Sequence, residues 1–270
     1  MPLSASCLAG NFEVGRSKRS LVLAIRKLEN EVLFKKKMAS AEYMYKGTMQ
    51  DGIRAGKGKL TWADGSFYEG EFANGLRHGF GLYQLAPPVR ATKTVSGVSA
   101  RSYEGEWSNG QKHGRGKEIW PDGDTIVGQF RQGHAHGMCT MVTRSGRYEG
   151  MFSEGVRCGK GTFEWHNGSL YEGEWKENRM WGEGKFVSSD NRIYEGSWVQ
   201  GVREGQGAEI TNEERYDGEW KDGKKNGEGQ IRWPNGRWRG GIWKNGDHVK
   251  WTTTERIGGK RKASPKKKNK

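Results

Sequence analysis

Residues 103–123 read YEGEWSNGQKHGRGKEIWPDG, a β-hairpin followed by the turn into the next one. Tyr103, Gly105 and Trp107 alternate with Glu104 and Glu106, so one face is aromatic and glycine while the other is charged. That is the two-residue period of a strand. Asn109-Gly110 tolerates the positive φ that a type I′ hairpin turn demands. Gly114, Gly116, Glu118 and Trp120 share one parity of a return strand, and Pro121-Asp122-Gly123 closes it with a second turn.

The unit recurs along the chain. Aromatic or apolar starts followed two residues later by glycine stand at Tyr45, Tyr68, Tyr103, Ile126, Tyr148, Tyr171, Tyr194, Tyr216 and Trp238, in steps of 23, 35, 23, 22, 23, 23, 22 and 22 residues. The regular first strands carry Tyr68, Gly70 and Phe72; Tyr103, Gly105 and Trp107; Tyr148, Gly150 and Phe152; Tyr171, Gly173 and Trp175; Tyr194, Gly196 and Trp198; and Tyr216, Gly218 and Trp220. Their return strands carry Gly79 and Gly81, Gly114 and Gly116, Gly159 and Gly161, Gly182 and Gly184, Gly205 and Gly207, and Gly227 and Gly229. The first of each glycine pair lies eleven residues after its start, an offset that also holds at Gly56 and Gly137. A fixed internal offset with variable outer spacing marks a repeat array whose slack is taken up between hairpins. Both glycines are expected on the aromatic face, with the rings lying flat over bare backbone.

Composition narrows the architecture. Hydrophobic residues make up only 33% and 43 residues are glycine, so no thick core can form and aromatics must supply most of the buried area. The expectation is an all-β, elongated, single-layer antiparallel hairpin array over residues 43–251, with eight full repeats and a terminal half repeat. Three cysteines, Cys7, Cys139 and Cys158, have no framework spacing, which favours a reducing compartment. Charge gathers at the ends: residues 1–40 hold eight Lys/Arg against three acids, residues 250–270 nine against one, and the body is close to neutral.

Residues 1–42 form a basic extension. Leu21, Ile25, Leu28 and Val32 make one apolar stripe, which predicts a short amphipathic helix from Ser17 to about Lys37. A cap over the first hairpin is favoured over a membrane-surface or partner-binding helix, because the ends of a repeat array need covering. The long step contains an inserted loop at about 86–102 with Pro87-Pro88. The ninth start, Trp238 to Trp243, has no G-x-G return and is expected to be an edge open to self-association, with both tryptophans as partner-binding candidates. Residues 252–270 read as a disordered basic tail. Its Lys260, Arg261, Lys262, Lys266, Lys267 and Lys268 are candidates for contact with an acidic protein or anionic lipid.

The pattern Y-E-G-E-W…N-G…H-G-x-G resembles the membrane occupation and recognition nexus (MORN) repeat family over about 200 of the 270 residues. Ile126 for the leading tyrosine, Cys139 for a glycine and Met49 for the strand aromatic depart from it. The resemblance implies a hairpin rod, often homodimeric, that serves as a scaffold. A stand-alone array is most similar to the members found in ciliary and flagellar axonemes and other cytoskeletal assemblies.

Nothing in the pattern carries chemistry. The G-x-G pairs never continue as a phosphate-loop or dinucleotide fingerprint. His78, His113, His136 and Cys158 occupy one repeat position, but equivalent positions lie two strands, roughly 9–10 Å, apart, too far to share one metal ion. The outward Glu pairs recur like a solvated face, not an acid/base pair. The reading is a non-enzyme with no cofactor or metal, which the resemblance places in the cytoplasm and cytoskeleton, in a ciliary or flagellar axoneme or a related assembly. The alternative is a peripheral membrane protein held by its basic ends. The terminal lysine clusters also resemble a nuclear localisation signal, yet without interleaved aromatics they argue against nucleic acid as a partner.

Overall fold

The computed structural model describes residues 43–86 and 100–257. The expected N-terminal helix, the middle of the inserted loop and the basic cluster at 260–268 lie outside them. The described residues form an open antiparallel sheet of nineteen strands. Successive strands pair as a meander: β1 (Tyr43–Gln50) with β2 (Ile53–Trp62), β3 (Phe67–Ala73) with β4 (Leu76–Gln84), β5 (Ser102–Ser108) with β6 (Gln111–Ile119), and β7 (Thr125–Arg131) with β8 (His134–Thr143). The next hairpins are β9 (Gly146–Ser153) with β10 (Val156–Trp165), β11 (Leu170–Lys176) with β12 (Arg179–Val187), β13 (Ile193–Val199) with β14 (Val202–Ile210), and β15 (Arg215–Lys221) with β16 (Lys224–Arg232). The last strands are β17 (Arg237–Lys244), β18 (Asp247–Trp251) and β19 (Arg256–Ile257).

Turn chemistry sets the hairpins. At every hairpin tip both loop residues have positive φ, as at Asn109 (49°) and Gly110 (79°), the type I′ geometry whose twist suits paired strands. Four of those tips are Gln132-Gly133, Glu154-Gly155, Glu177-Asn178 and Gln200-Gly201, so an Asn or Asp lead is dispensable. Between hairpins, Asp64-Gly65, Asp122-Gly123, Asn167-Gly168 and Asn235-Gly236 need only the glycine at positive φ. The insertion sits at one of these outer turns. Its stem is closed by the Leu85 N–H donating to the Arg101 carbonyl at 2.9 Å, and the β4–β5 ladder runs on undisturbed.

The two glycines of each return strand act differently, which corrects the expectation that both lie under the rings. The second pairs directly with a first-strand glycine on either side, as in Gly70↔Gly81↔Gly105↔Gly116. A row of glycines thus crosses the sheet from Gly47 to Gly241, broken at Cys139. Each repeat tyrosine folds back over this row: a Cβ placed on Gly161 would come within 2.6 Å of the Tyr148 ring. The first glycine faces the other way. Gly79, at φ 58°, forms a bulge in which one step along β3 (Gly70 to Glu71) is matched by three along β4 (His78 to Gly81). The tyrosine hydroxyl donates to the carbonyl that this bulge leaves free: Tyr68 to Glu71 at 2.9 Å, Tyr171 to Glu174 at 3.0 Å. Ring, bare glycine and bulge form one device.

Repeat four makes the same device from other parts. Ile126 replaces the tyrosine, and Cys139, paired with Gly128, stands buried where the other repeats have bare glycine under a ring. Its thiol donates to the Gln129 carbonyl at 3.5 Å, the carbonyl position that a tyrosine hydroxyl serves elsewhere.

The core is a zipper of rings on one face. Each fully buried tyrosine meets the aromatic of its own strand and that of the next repeat edge to face, as Tyr194 does with Trp198 (5.1 Å) and Trp220 (5.0 Å). Such pairs add about 0.5–1.5 kcal/mol each beyond burial. Trp107, Trp175, Trp198 and Trp220 also donate their indole N–H to a glycine carbonyl of the preceding repeat.

The C-terminal end corrects two further expectations. Trp243 pairs with Gly227 as Trp220 pairs with Gly205, so the ninth unit starts at Arg239 and Trp238 falls one residue out of phase. The unit is also not a bare half repeat. β18 and then β19 return along β17, joined by the Thr252 N–H donating to the Gly240 carbonyl. The chain therefore stays on the sheet past residue 251, to Ile257.

Candidate protein-interaction face

The two faces of the sheet differ in chemistry. The outer one carries exposed carboxylates from the first strands, among them Glu69, Glu104, Glu106, Glu172, Glu174 and Glu219. The aromatic one carries cations nine residues after the repeat starts: Arg54, Arg77, Lys112, Arg157, Arg203 and Lys225. These lean on the rings. Arg77 lies 4.3 Å from the Trp107 ring and Arg157 4.6 Å from that of Trp175. Both guanidiniums also donate to the carbonyl at the next hairpin tip, Gly110 and Asn178. Burial pulls both below the ordinary arginine range. The sequence signal for this row was its constant ninth position, which the aromatic and glycine periods obscured.

Repeats four and six break the row with Ala135 and Met180. Around Met180 the face opens into a groove made of two adjoining cavities of about 630 and 470 Å³. Trp165, Met180 and Gly201 line both; Phe163 and Trp175 line the first, Phe186 and Trp198 the second. Arg157 in the first cavity and Arg203 in the second flank Met180 along the row. An apolar floor between two cations is a surface that can take an amphipathic segment of another protein.

The residues singled out from the sequence distribute unevenly. The repeat tyrosines, glycines and strand aromatics build the framework: Tyr68, Tyr103, Tyr148, Tyr171, Tyr194 and Tyr216 are the largest fully buried side chains. Trp243 is buried too, closing the zipper 4.9 Å from Tyr216. Trp238 lies under Arg256, and its strand is already paired on both sides. Lys260, Arg261, Lys262, Lys266, Lys267 and Lys268 lie outside the described residues. The histidine ladder gathers no site: among the described residues no group of three or more His, Cys, Asp or Glu side chains could hold a metal ion. Cys139 and Cys158 are free thiols.

The family model for the MORN repeat matches eight segments, residues 45–67, 68–87, 103–125, 127–146, 148–170, 171–191, 194–210 and 216–236. The chain belongs to the MORN repeat family. Each match begins at or within one residue of a repeat start, including Ile126, where the leading ring is missing. MORN repeats are protein-interaction or membrane-association modules without enzymatic activity of their own. No curated protein matches the chain.

Proposed function

We propose that this MORN array is a non-catalytic scaffold that docks a protein segment along its aromatic face, in a ciliary or flagellar axoneme or a related cytoskeletal assembly. The groove over Trp165, Met180, Phe186 and Trp198 carries the reading. At Met180 the repeat gives up its stacked cation for a side chain that leaves an apolar floor, a local departure that the sheet itself does not need. The cytoskeletal setting rests on the stand-alone array, its near-neutral body and its likeness to cytoskeletal members of the family. A tagged copy in its own cell tests both parts. The unaltered chain is expected on the axoneme or another cytoskeletal structure, and Met180→Glu, which places a charge on the groove floor, is expected to become diffuse while keeping its β-rich circular dichroism. A Met180→Glu chain that stays in place would sink the groove as the docking site, and a uniform distribution of the unaltered chain would sink the setting.

A second reading, attachment to anionic membrane, is supported by the charge of the two ends, where nine Lys/Arg face a single acid over residues 250–270. Flotation with anionic vesicles, with and without residues 1–40 and 258–270, separates it from the first.

A further inference from the structure

On the aromatic face a cleft of about 380 Å³ opens among β4, β5 and β6. Arg77, Arg101 and Lys112 line it, together with one carboxylate, Glu118. Glu118 is 4% exposed and shared: Arg101 Nε donates to it at 2.7 Å, and Lys112 pairs with the same oxygen. Arg77 has no carboxylate partner among the described residues. Three cations thus meet one anion in a partly desolvated space. Burial holds the Lys112 ammonium below the ordinary lysine range despite Glu118, and Arg101 and Arg77 depress it further.

The array contains its own control. In repeat seven Glu209 sits at the position of Glu118, paired with Arg203 and Lys225 at 3.0 Å each, but Glu214 lies 3.7 Å from Lys225. There two cations face two acids and the charges balance. The surplus in the first cluster is therefore not a requirement of the fold.

We propose that this cleft takes the phosphate group of a phosphorylated side chain carried by the segment that docks in the groove. The proposal rests on the docking reading above. Charge selects the ligand: the cluster is in excess by two, and a phosphorylated side chain brings about −1.5 to −2 where a carboxylate brings one. Arginine suits phosphate oxygens through paired N–H donors. Position agrees, since the groove begins at β8, two strands or roughly 10 Å beyond β6. Met180 on β12 lies six strands, roughly 29 Å, from Lys112 on β6, so the phosphorylated residue should precede or follow the apolar anchor by about eight to ten extended residues. The Lys112 side chain is only 15% exposed, which suits a protruding side chain better than a flat bilayer.

Calorimetry on the full chain tests this with a synthetic peptide that carries one phosphoserine about nine residues from a Leu-Leu pair, its Ser and Glu versions, inorganic phosphate, and vesicles containing phosphatidylinositol phosphate. The phosphoserine peptide is expected to bind about tenfold more tightly than the Ser version. Arg101→Gln should erase that difference. Glu118→Gln should raise the affinity for inorganic phosphate, a gain that misfolding cannot produce. Equal binding of the phosphoserine and Ser peptides, with dependence on Met180 retained, would overturn the phosphate site and leave the groove standing. Phosphate binding strengthened by Glu118→Gln, with no peptide bound, would keep the site and remove the docking reading. Vesicle binding that follows Arg101 while the phosphopeptide does not would overturn the proposal in favour of lipid.

Discussion

Cys139 shows how far one side chain can be tied to another. In sequence, Ile126 and Cys139 stand as two separate departures from the repeat. The register joins them, because Cys139 faces Gly128 and its thiol reaches Gln129, three residues after Ile126. They are one exchange, a ring for a thiol. Cys139→Gly alone should leave a void and an unserved carbonyl, and Ile126→Tyr alone should drive a ring into the thiol; each is expected to cost about 1–3 kcal/mol. Together they recreate the neighbouring repeats. Melting curves of the double-mutant cycle should show a coupling of about 1 kcal/mol or more in favour of the pair. Additive losses would mean that the two positions do not share a site. Gly161→Val offers a second measure at this scale. Its side chain would enter the Tyr148 ring, whereas His113→Asn changes an exposed residue. The valine should lower the melting temperature by several degrees and the asparagine by almost nothing. The aromatic-over-glycine packing was legible from period alone, but the cation row was not, since Arg and Lys read as solvent-facing until the rings beneath them are placed.

At the scale of the hairpin, the sequence and the structure part company where spacing and register diverge. Starts and G-x-G pairs are visible as constant offsets, yet the offset does not say that the first glycine is a left-handed bulge. Trp238 misled for a related reason. It mimics a start in spacing, and only the Gly227↔Trp243 pairing puts Arg239 in that place. The buried ring over the bulge gives the hairpin a pH dependence. Burial raises the Tyr68 and Tyr194 hydroxyls to about 12, and those of Tyr103, Tyr148, Tyr171 and Tyr216 also rise. An unfolded tyrosine ionises near pH ~10. Between those values the folded chain holds protons that the unfolded chain has lost, so stability is full below about pH 10 and falls as pH climbs toward about 12. Tyrosinate absorbance and far-ultraviolet circular dichroism, followed together, should change in one cooperative step for the ladder tyrosines. Their ionisation near pH ~10 with the sheet intact would contradict the buried hydroxyl contacts.

For the molecule as a whole, both ends are finished in the same language as the middle. The strand aromatic packs on the tyrosine of the repeat before it, so the first repeat, which follows none, carries Met49 there, 51% exposed. The last unit has Arg239 in place of a tyrosine, because no strand aromatic follows to cover one. Head-to-tail growth would lack both halves of the ring pair, so the array is not expected to extend end to end. What the sequence could not supply is the end state, since Met49 and Arg239 read as lapses until the neighbour each lacks is known. The meander also fixes the shape. Eighteen consecutive strands at about 4.8 Å give a body of roughly 80 Å, for which a radius of gyration above about 20 Å follows, against about 16–17 Å for a compact globule of about 200 residues. Small-angle scattering from residues 38–257 should give the larger value and a distance distribution with a long tail, unchanged in form as concentration rises. A value near that of the globule would mean that the sheet closes on itself. A maximum dimension that keeps growing with concentration would mean that the ends are not closed and that Met49 and Arg239 do not terminate the array.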